Sequence, residues 1–166
     1  MNENSTEDNA WSIVMYSESE LMAWGARLAR WLHIGDVIAL EGSLGSGKTT
    51  LARAIIRAIY GETIVVPSPT FTLVQIYEGK RLPIWHCDLY RLQDPEETLE
   101  LGLDEAYREA VTLIEWPSKL GATLPKHALH LRLENVKSAD ENLRRIFLSG
   151  NLRWRAALNA LRSDDA

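Results

Sequence analysis

The sequence is poor in the features that mark secreted and membrane proteins. It contains a single cysteine, Cys87, so no disulfide can form within the chain. No apolar run approaches the roughly 18–20 residues that a membrane-spanning helix needs. The opening segment MNENSTEDNA is polar and acidic and has no apolar core of the kind found in signal peptides. These absences lead us to expect a cytoplasmic protein that does not enter a membrane.

Positive charge is also scarce. The 166 residues carry 18 Lys and Arg against 23 Asp and Glu, which gives a formal net charge of −5. Proteins that hold nucleic acid through its phosphates are normally basic, so we expect no tight direct binding to RNA or DNA. Six arginines could still form local basic patches, although such side chains more often cover solvated faces. They are Arg27, Arg30, Arg144, Arg145, Arg153 and Arg155.

Internal repeats, low-complexity segments and linkers between domains are missing from the sequence as well. A chain of 166 residues without such a break has the usual size of one domain. We therefore predict a single domain over residues 11–162, with frayed ends at 1–10 and 163–166. A monomer or weak self-association is the expected oligomeric state.

Apolar periodicity divides this domain into alternating strands and helices, which predicts an α/β fold with a mixed, mainly parallel sheet flanked by helices. Helices are expected from the capping residue Ser17, from Leu51 to Ile59, and over 94–102 and 103–110. A last helix, 151–162, is expected to turn Leu152, Ala156 and Leu158 towards the body. The predicted strands are SIVMY, DVIAL, FTLVQIY, LPIWHCDLY, VTLIEW, HALHLRLE and LRRIFLS. FTLVQIY and LPIWHCDLY should form an antiparallel pair that turns at Glu78-Gly79-Lys80.

The segment EGSLGSGKTT lies between the strand DVIAL and the next helix. Gly42, Gly47, Lys48 and Thr49 match the pattern G-x-x-x-x-G-K-[ST] without a mismatch. Glycines let such a loop turn tightly and point successive N–H groups at a phosphate, and the following helix directs its partial positive end at the same anion. Lys48 supplies a point charge for the β- and γ-phosphates, and the Thr49 hydroxyl can bind Mg²⁺. The pattern therefore predicts a P-loop.

A P-loop also needs a carboxylate near the metal, normally at the end of a neighbouring apolar strand. Two candidates have this position. Glu115 ends the apolar run VTLIEW, and Asp88 lies in IWHCDLY, on the same face of an extended strand as His86. The strand pattern does not decide between the two acids.

Four motifs in order resemble the TsaE family, which are small bacterial P-loop ATPases required for making threonylcarbamoyladenosine in tRNA. EGSLGSGKTT is followed by PSPTFTLV, then by HCDLYRL, then by IEWP. The P-loop alone is generic, but S-P-T-F, H-x-D-L-Y-R and E-W-P at these distances form a specific signature. The resemblance covers roughly residues 12–134.

The resemblance implies a role for particular residues. Thr49 would hold Mg²⁺ together with Glu115. Asp88 would lie in or near the second coordination shell of the metal. Thr70 would belong to a segment near the γ-phosphate, and Trp116 would lie beside the nucleotide. The backbone of Gly45, Ser46, Gly47, Lys48, Thr49 and Thr50 would line the phosphates. The stretch from Ser17 to Glu20 would face the adenine. The catalytic set implied in this way is Lys48, Asp88, Glu115 and Thr70.

The family also implies ATP as the nucleotide and a complex of TsaB and TsaD as the protein partner. No arginine finger or water-positioning glutamine stands out in the sequence, and a charge of that kind supplied in trans can be worth about 10³–10⁵ in rate. We therefore expect slow hydrolysis by the chain alone, with hydrolysis resetting the partner complex. Two alternatives remain open, a small-molecule P-loop kinase and a nucleotide switch that acts without hydrolysis.

Overall fold

The computed structural model describes residues 11–139 and 142–163. The strands are β1 (Trp11–Met15), β2 (Val37–Glu41), β3 (Val74–Tyr77), β4 (Ile84–Asp88), β5 (Val111–Glu115), β6 (Leu129–Asn135) and β7 (Arg144–Ser149). The α-helices are α1 (Glu18–Ala29), α2 (Lys48–Tyr60), α3 (Leu103–Glu109) and α4 (Arg155–Ser163). Short 3₁₀ helices cover Pro95–Leu101, Pro117–Thr123 and Leu152–Trp154.

All of these strands join one seven-stranded sheet in the order β1-β7-β6-β2-β5-β4-β3. The four central strands, β6, β2, β5 and β4, are parallel to one another. Antiparallel strands extend the sheet on both sides, with β3 beside β4 and with β7 and β1 beyond β6. This arrangement confirms the predicted α/β fold with a mixed sheet, and it confirms the predicted β3–β4 hairpin.

Helices cover both faces of the sheet, because central strands that are apolar on both sides must be buried on both sides. One core contains buried side chains of α1, α2 and α4, including Trp24, Ile55 and Leu158. The second core lies under α3 and the 3₁₀ helix after β5. Cys87 is fully buried there, and burial raises the pKa of its thiol to about 12, so it is an inert apolar filler.

The start of α1 confirms Ser17 as the capping residue and adds Glu20 as its partner in a capping box. The Ser17 side chain accepts a hydrogen bond from the Glu20 N–H, and the Glu20 carboxylate accepts one from the Tyr16 N–H. The segment 94–102 forms a 3₁₀ helix rather than an α-helix, although Asp94 caps it with Glu97 as the partner in a complete capping box.

The predicted face of the last helix is wrong in part. Leu152 is 73% exposed and Ala156 is exposed, whereas Ala157, Leu158 and Leu161 are buried. The segment begins as a 3₁₀ turn anchored by the buried ring of Trp154. A 3₁₀ turn has 3.0 residues instead of 3.6, so it shifts the phase of every residue that follows.

The chain ends were predicted to fray at 1–10 and 163–166. Residues 1–10 and 164–166 lie outside the described part, and Ser163 is the last residue of α4. Within the described residues, no helix combines the length and the apolar character required to cross a bilayer.

Candidate functional site

The P-loop connects β2 to α2 and forms the floor of the site. Gly47 caps α2 with φ 107°, in the left-handed region where a side chain is strained. Lys48 is the first residue of α2. The N–H groups of the first helical turn have no partner within the helix, and they point towards the P-loop. The loop thus presents backbone donors and the positive end of a helix dipole together, which is the arrangement that binds phosphate.

Gly42 is required by close contact as well as by conformation. Its φ is 145°, and a Cβ atom at this position would overlap the Ser46 side chain and the Leu133 carbonyl oxygen. The carbonyl belongs to β6, the neighbour of β2, and cannot move without breaking the sheet. The first glycine of the motif therefore allows the loop to leave the sheet alongside β6.

Lys48 is almost fully buried at 5% exposure. Its Nζ donates to the carbonyl oxygens of Gly42 at 2.7 Å and Ser43 at 2.8 Å. Burial lowers the pKa of Lys48, and the nearby charges of Glu115 and Asp88 act in the opposite direction. The ammonium group therefore lies between loop carbonyls and two carboxylates, at the position expected for a phosphate-binding lysine.

Glu115 and Thr49 form the central polar contact of the site. The Thr49 hydroxyl donates to Glu115 Oε1 at 2.6 Å. Burial raises the pKa of Glu115, but His86, Thr49 and Lys48 lower it further than burial raises it, and the net pKa lies below the ordinary glutamate value. His86 Nε2 lies 3.9 Å from Glu115 Oε1, a distance too long for a hydrogen bond. Glu115 is thus held as a carboxylate at 1% exposure.

Asp88 lies directly beside Glu115, because the two residues are register partners at the ends of β4 and β5. It accepts hydrogen bonds from the Thr70 hydroxyl at 3.2 Å and from the Tyr90 N–H at 3.0 Å. Burial raises the pKa of Asp88, the Tyr90 N–H opposes this rise, and the Glu115 charge adds to it. Two neighbouring carboxylates of this kind are stabilised together by a cation.

Both non-glycine residues with positive φ in the described chain adjoin these acids. Leu73, with φ 65°, ends the PSPTF loop, and its carbonyl accepts the Asp88 N–H at 2.9 Å. Trp116, with φ 60°, follows Glu115 directly. A left-handed conformation is rare for bulky residues and is retained where the surrounding structure imposes it. The backbone is therefore strained next to each carboxylate.

The conformation of Trp116 aims its ring into the site. Lys48 Nζ lies 4.2 Å from the centre of that ring, within the range of a cation–π contact. The Tyr90 ring packs on the Trp116 ring at a centroid distance of 4.9 Å. Tyr90 and Trp116 thus form an aromatic wall beside Lys48.

These groups surround one cleft of about 370 Å³. Its volume lies in the range of small-molecule sites. The lining residues come from the P-loop, the PSPTF loop, the ends of β4 and β5, and β7. They are Leu44, Gly45, Ser46, Gly47, Lys48, Thr49, Thr50, Ser68, Thr70, Asp88, Tyr90, Glu115, Trp116 and Arg144.

Comparison with known proteins agrees with this geometry. The family described as "Threonylcarbamoyl adenosine biosynthesis protein TsaE" matches residues 15–146. The chain belongs to the TsaE family. Membership places it in threonylcarbamoyl adenosine biosynthesis and gives it the nucleotide-binding P-loop fold. It also confirms the resemblance noted from the four sequence motifs.

Individual TsaE relatives align over most of the chain. A tRNA threonylcarbamoyladenosine biosynthesis protein TsaE from Rickettsia bellii is 40% identical over 131 residues, 79% of this chain and 89% of that protein. The Treponema pallidum protein of the same name is 34% identical over 131 residues, 78% of this chain and 96% of that protein. The crystal structure of Bacillus subtilis YdiB has a TM-score of 0.79 at 27% identity, covering 98% of this chain and 100% of that one.

The cleft brings together every site residue predicted from the sequence except the adenine-facing stretch. Ser17 to Glu20 form the cap of α1 and do not line the cleft, so an adenine contact there stays a prediction. Four lining residues were not assigned to the site from the sequence: Leu44, Ser68, Tyr90 and Arg144. Tyr90 is the tyrosine of the H-x-D-L-Y-R motif and could have been included on that ground, whereas nothing local to Arg144 indicates its position.

The oxygen donors of this TsaE-family cleft fit a magnesium ion. Thr49 and Glu115 present a hydroxyl and a carboxylate to one point, with Asp88 alongside. Among the described residues, no group of three or more His, Cys, Asp or Glu could by itself hold a metal. Magnesium at nucleotide sites usually takes one or two carboxylates and completes its shell with phosphate oxygens and water, so the pair is sufficient.

Proposed function

We propose that this chain is a Mg²⁺-dependent ATPase that acts on a TsaB–TsaD-type complex in the cytoplasm and supports turnover in tRNA threonylcarbamoyladenosine synthesis. The observation that carries the proposal is the hydrogen bond between Thr49 and Glu115 in a cleft that also contains Lys48 and Asp88. This is the combination of hydroxyl, strand-end carboxylate and loop lysine that P-loop hydrolases use.

Each group has a distinct task in this proposal. The loop from Gly45 to Thr50 binds the phosphates through backbone N–H groups, and Lys48 neutralises charge on the transferred phosphoryl group. Thr49 and Glu115 would hold Mg²⁺, which when bound neutralises phosphate charge and fixes the orientation of the β- and γ-oxygens. Thr70, fixed by Asp88 and 2.7 Å from the Ser68 hydroxyl, is placed to orient groups at the open side of the phosphate.

A partner requirement follows from what the cleft contains. Its cations are Lys48 and Arg144, and only Lys48 lies beside the two acids. Among the described residues that line the cleft, none is a glutamine that could position a water. Transition-state charge at the γ-phosphate is then only partly compensated by the chain, so a partner that adds a donor or closes the cleft should raise the rate.

The direct test is ATP turnover by the purified chain with and without its cognate TsaB–TsaD complex. We expect slow basal turnover by the wild-type chain and at least a tenfold rise in its rate on adding the complex. The Lys48→Ala variant should show no such rise when TsaB or TsaD is added. Phosphate release with a coupled assay measures both rates. A rise with a small-molecule acceptor in place of the complex would favour a kinase, although family membership does not favour that alternative.

Thr49→Ala is expected chiefly to weaken Mg²⁺-dependent nucleotide binding and hydrolysis, without abolishing nucleotide binding. The hydroxyl that contacts Glu115 is lost, while the backbone donors and Lys48 remain, so we expect about a tenfold higher Mg²⁺ requirement for turnover. ATP turnover at a series of Mg²⁺ concentrations measures this requirement. Thr49→Ser retains a hydroxyl and should restore most of the wild-type response of turnover to Mg²⁺. Thr63→Ala, at an exposed position, serves as a matched control. An unchanged Mg²⁺ dependence in Thr49→Ala would contradict the metal assignment.

A further inference from the structure

His86 lies behind the two carboxylates of the cleft. It belongs to β4, two residues before Asp88, and its register partner on β5 is Leu113, two residues before Glu115. Side chains two residues apart on a strand project from the same face of the sheet, so His86 shares one face with both acids. The imidazole is 0% exposed and does not line the cleft, whereas both acids do. His86 therefore lies one layer deeper than the acids and does not reach a ligand in the cleft.

The surroundings of the two His86 ring nitrogens are costly for the fold. Neither Nδ1 nor Nε2 is accessible to solvent, and neither has a hydrogen-bond partner among the described residues. The neighbours of His86 on the same face, Ile84 and Leu113, are apolar and fully buried. An unpaired buried polar group costs free energy, which an apolar residue at this position would avoid. The stability of the core therefore does not explain a histidine here.

Glu115 is the polar group that His86 approaches. His86 Nε2 lies 3.9 Å from Glu115 Oε1, about 1 Å beyond the usual hydrogen-bond length. The same oxygen accepts the Thr49 hydroxyl at 2.6 Å, and a carboxylate oxygen has room for a second donor. Because a carboxylate only accepts, the nitrogen that faces it is the one placed to donate. The remaining gap is small for a glutamate, whose side chain has three rotatable bonds.

The orientation of this carboxylate matters for a metal site. Mg²⁺ requires a nearly ideal octahedral arrangement of its ligands, and groups that hydrogen-bond to a ligand fix its orientation. Thr49 contacts Glu115 from α2, while Asp88 places a second negative charge beside it. A donor on the buried side would support the carboxylate opposite the cleft. His86 has an unpaired nitrogen on that side.

We propose that His86 is a positioning residue, whose Nε2–H group donates to Glu115 Oε1 and holds the carboxylate in the orientation that binds Mg²⁺. This inference rests on the metal site in the proposed function and assigns a residue outside the nucleotide cleft. His86 acts on Mg²⁺ affinity only through Glu115, so it contributes nothing to nucleotide binding without the metal. The free protein carries the cost of the buried imidazole, and the metal-bound site gains from it.

The experiment compares His86→Leu, His86→Gln and His86→Asn with the wild-type chain by calorimetric titration of ADP, in EDTA and at a series of Mg²⁺ concentrations. We expect His86→Leu to lower the Mg²⁺ affinity of the ADP complex by about tenfold, the lower end of the range for groups that support metal ligands. Its ADP affinity in EDTA should stay within about twofold of the wild type. Glutamine keeps a donor near the position of Nε2 and asparagine keeps one near Nδ1, so His86→Gln should recover most of the Mg²⁺ affinity and His86→Asn should not.

Thermal unfolding without nucleotide separates positioning from a structural role. Leucine removes two unpaired buried nitrogens, so the melting temperature of His86→Leu should equal or exceed that of the wild type. His130→Leu is the matched control, because His130 Nδ1 lies 3.8 Å from Glu41 Oε1 at a partly exposed position outside the cleft. This variant should keep the wild-type Mg²⁺ affinity.

The outcomes separate this inference from the function on which it rests. Wild-type Mg²⁺ affinity in His86→Leu contradicts the inference alone, and so does recovery by asparagine rather than glutamine. A lower melting temperature together with an equal loss of ADP affinity in EDTA would show a structural role and would also contradict it. If His86→Leu is too unstable to titrate, the comparison of His86→Gln with His86→Asn decides. A wild-type chain whose ADP affinity does not respond to Mg²⁺ would instead remove the metal site of the proposed function, and this inference with it.

Discussion

Glu115→Gln is expected to lower ATP turnover by about a hundredfold or more while nucleotide binding is retained. The substitution keeps the size of the side chain and removes the negative charge that Thr49 and Lys48 stabilise. Substitution of groups that support metal ligands typically lowers activity by about 10–100-fold. Because Glu115 would contact the metal directly, we expect an effect at or above the upper end of this range. Single-turnover hydrolysis with saturating ATP, measured with the TsaB–TsaD complex present, isolates this step from binding.

The control for this variant lies at the end of α3, just before β5. Glu109→Gln makes the identical change just before the other end of β5, at an exposed position, and should leave turnover unchanged. Asp88→Asn should act in the same direction as Glu115→Gln if Asp88 also serves the metal. Turnover that persists in Glu115→Gln at more than a third of the wild-type rate would exclude a metal-holding role for this carboxylate.

The same variant distinguishes a hydrolysing machine from a nucleotide switch. A switch requires that ATP binding alone changes affinity for the partner, so Glu115→Gln should then support threonylcarbamoyladenosine formation at the wild-type level. A hydrolysis-dependent component should bind the partner complex with ATP, remain bound, and support only a single round of modification. Counting rounds of tRNA modification per complex with the variant decides between the two.

The sequence was sufficient where the site depends on local spacing. Gly42, Gly47, Lys48 and Thr49 lie in one loop whose geometry is set by the residues themselves, so the motif alone located the phosphate site. Asp88 and Glu115 could be proposed because both end apolar strands, and parallel neighbours bring such ends to one edge. The strand pattern left their roles open and only the family resemblance paired Glu115 with Thr49, a pairing that agrees with the hydrogen bond between these two side chains.

Long-range pairing and local distortions were beyond the sequence. Arg144 reaches the P-loop because β7 returns antiparallel to β6 at the outer side of the sheet, and no local pattern encodes that register. The strand predicted from Phe71 begins at Val74 because Leu73 adopts a positive φ that ends the loop against Asp88. Both misses concern residues beside the cleft, where local preference is overridden by the requirements of the site.

Removal of the lysine charge should have the largest effect on nucleotide affinity. Lys48→Ala is expected to weaken ADP and ATP binding by about a hundredfold, because a charge-assisted hydrogen bond contributes roughly 1.5–3 kcal/mol and each 1.4 kcal/mol is tenfold. The upper end of this range applies, since the negative charges of Asp88 and Glu115 would then face the phosphates uncompensated.

Lys48→Met tests whether the charge or the packing of the side chain is responsible. Methionine keeps an unbranched apolar stem beside the Trp116 ring but has no ammonium group, so it should bind as weakly as Lys48→Ala. Lys80→Ala is the charge-matched control, because Lys80 is exposed in the β3–β4 turn at the end of β4 away from Asp88. Calorimetric titration of ADP measures all three variants. Affinity close to wild type in Lys48→Met would show that the stem rather than the charge holds the phosphate site together, and the electrostatic account of the P-loop would then be wrong for this chain.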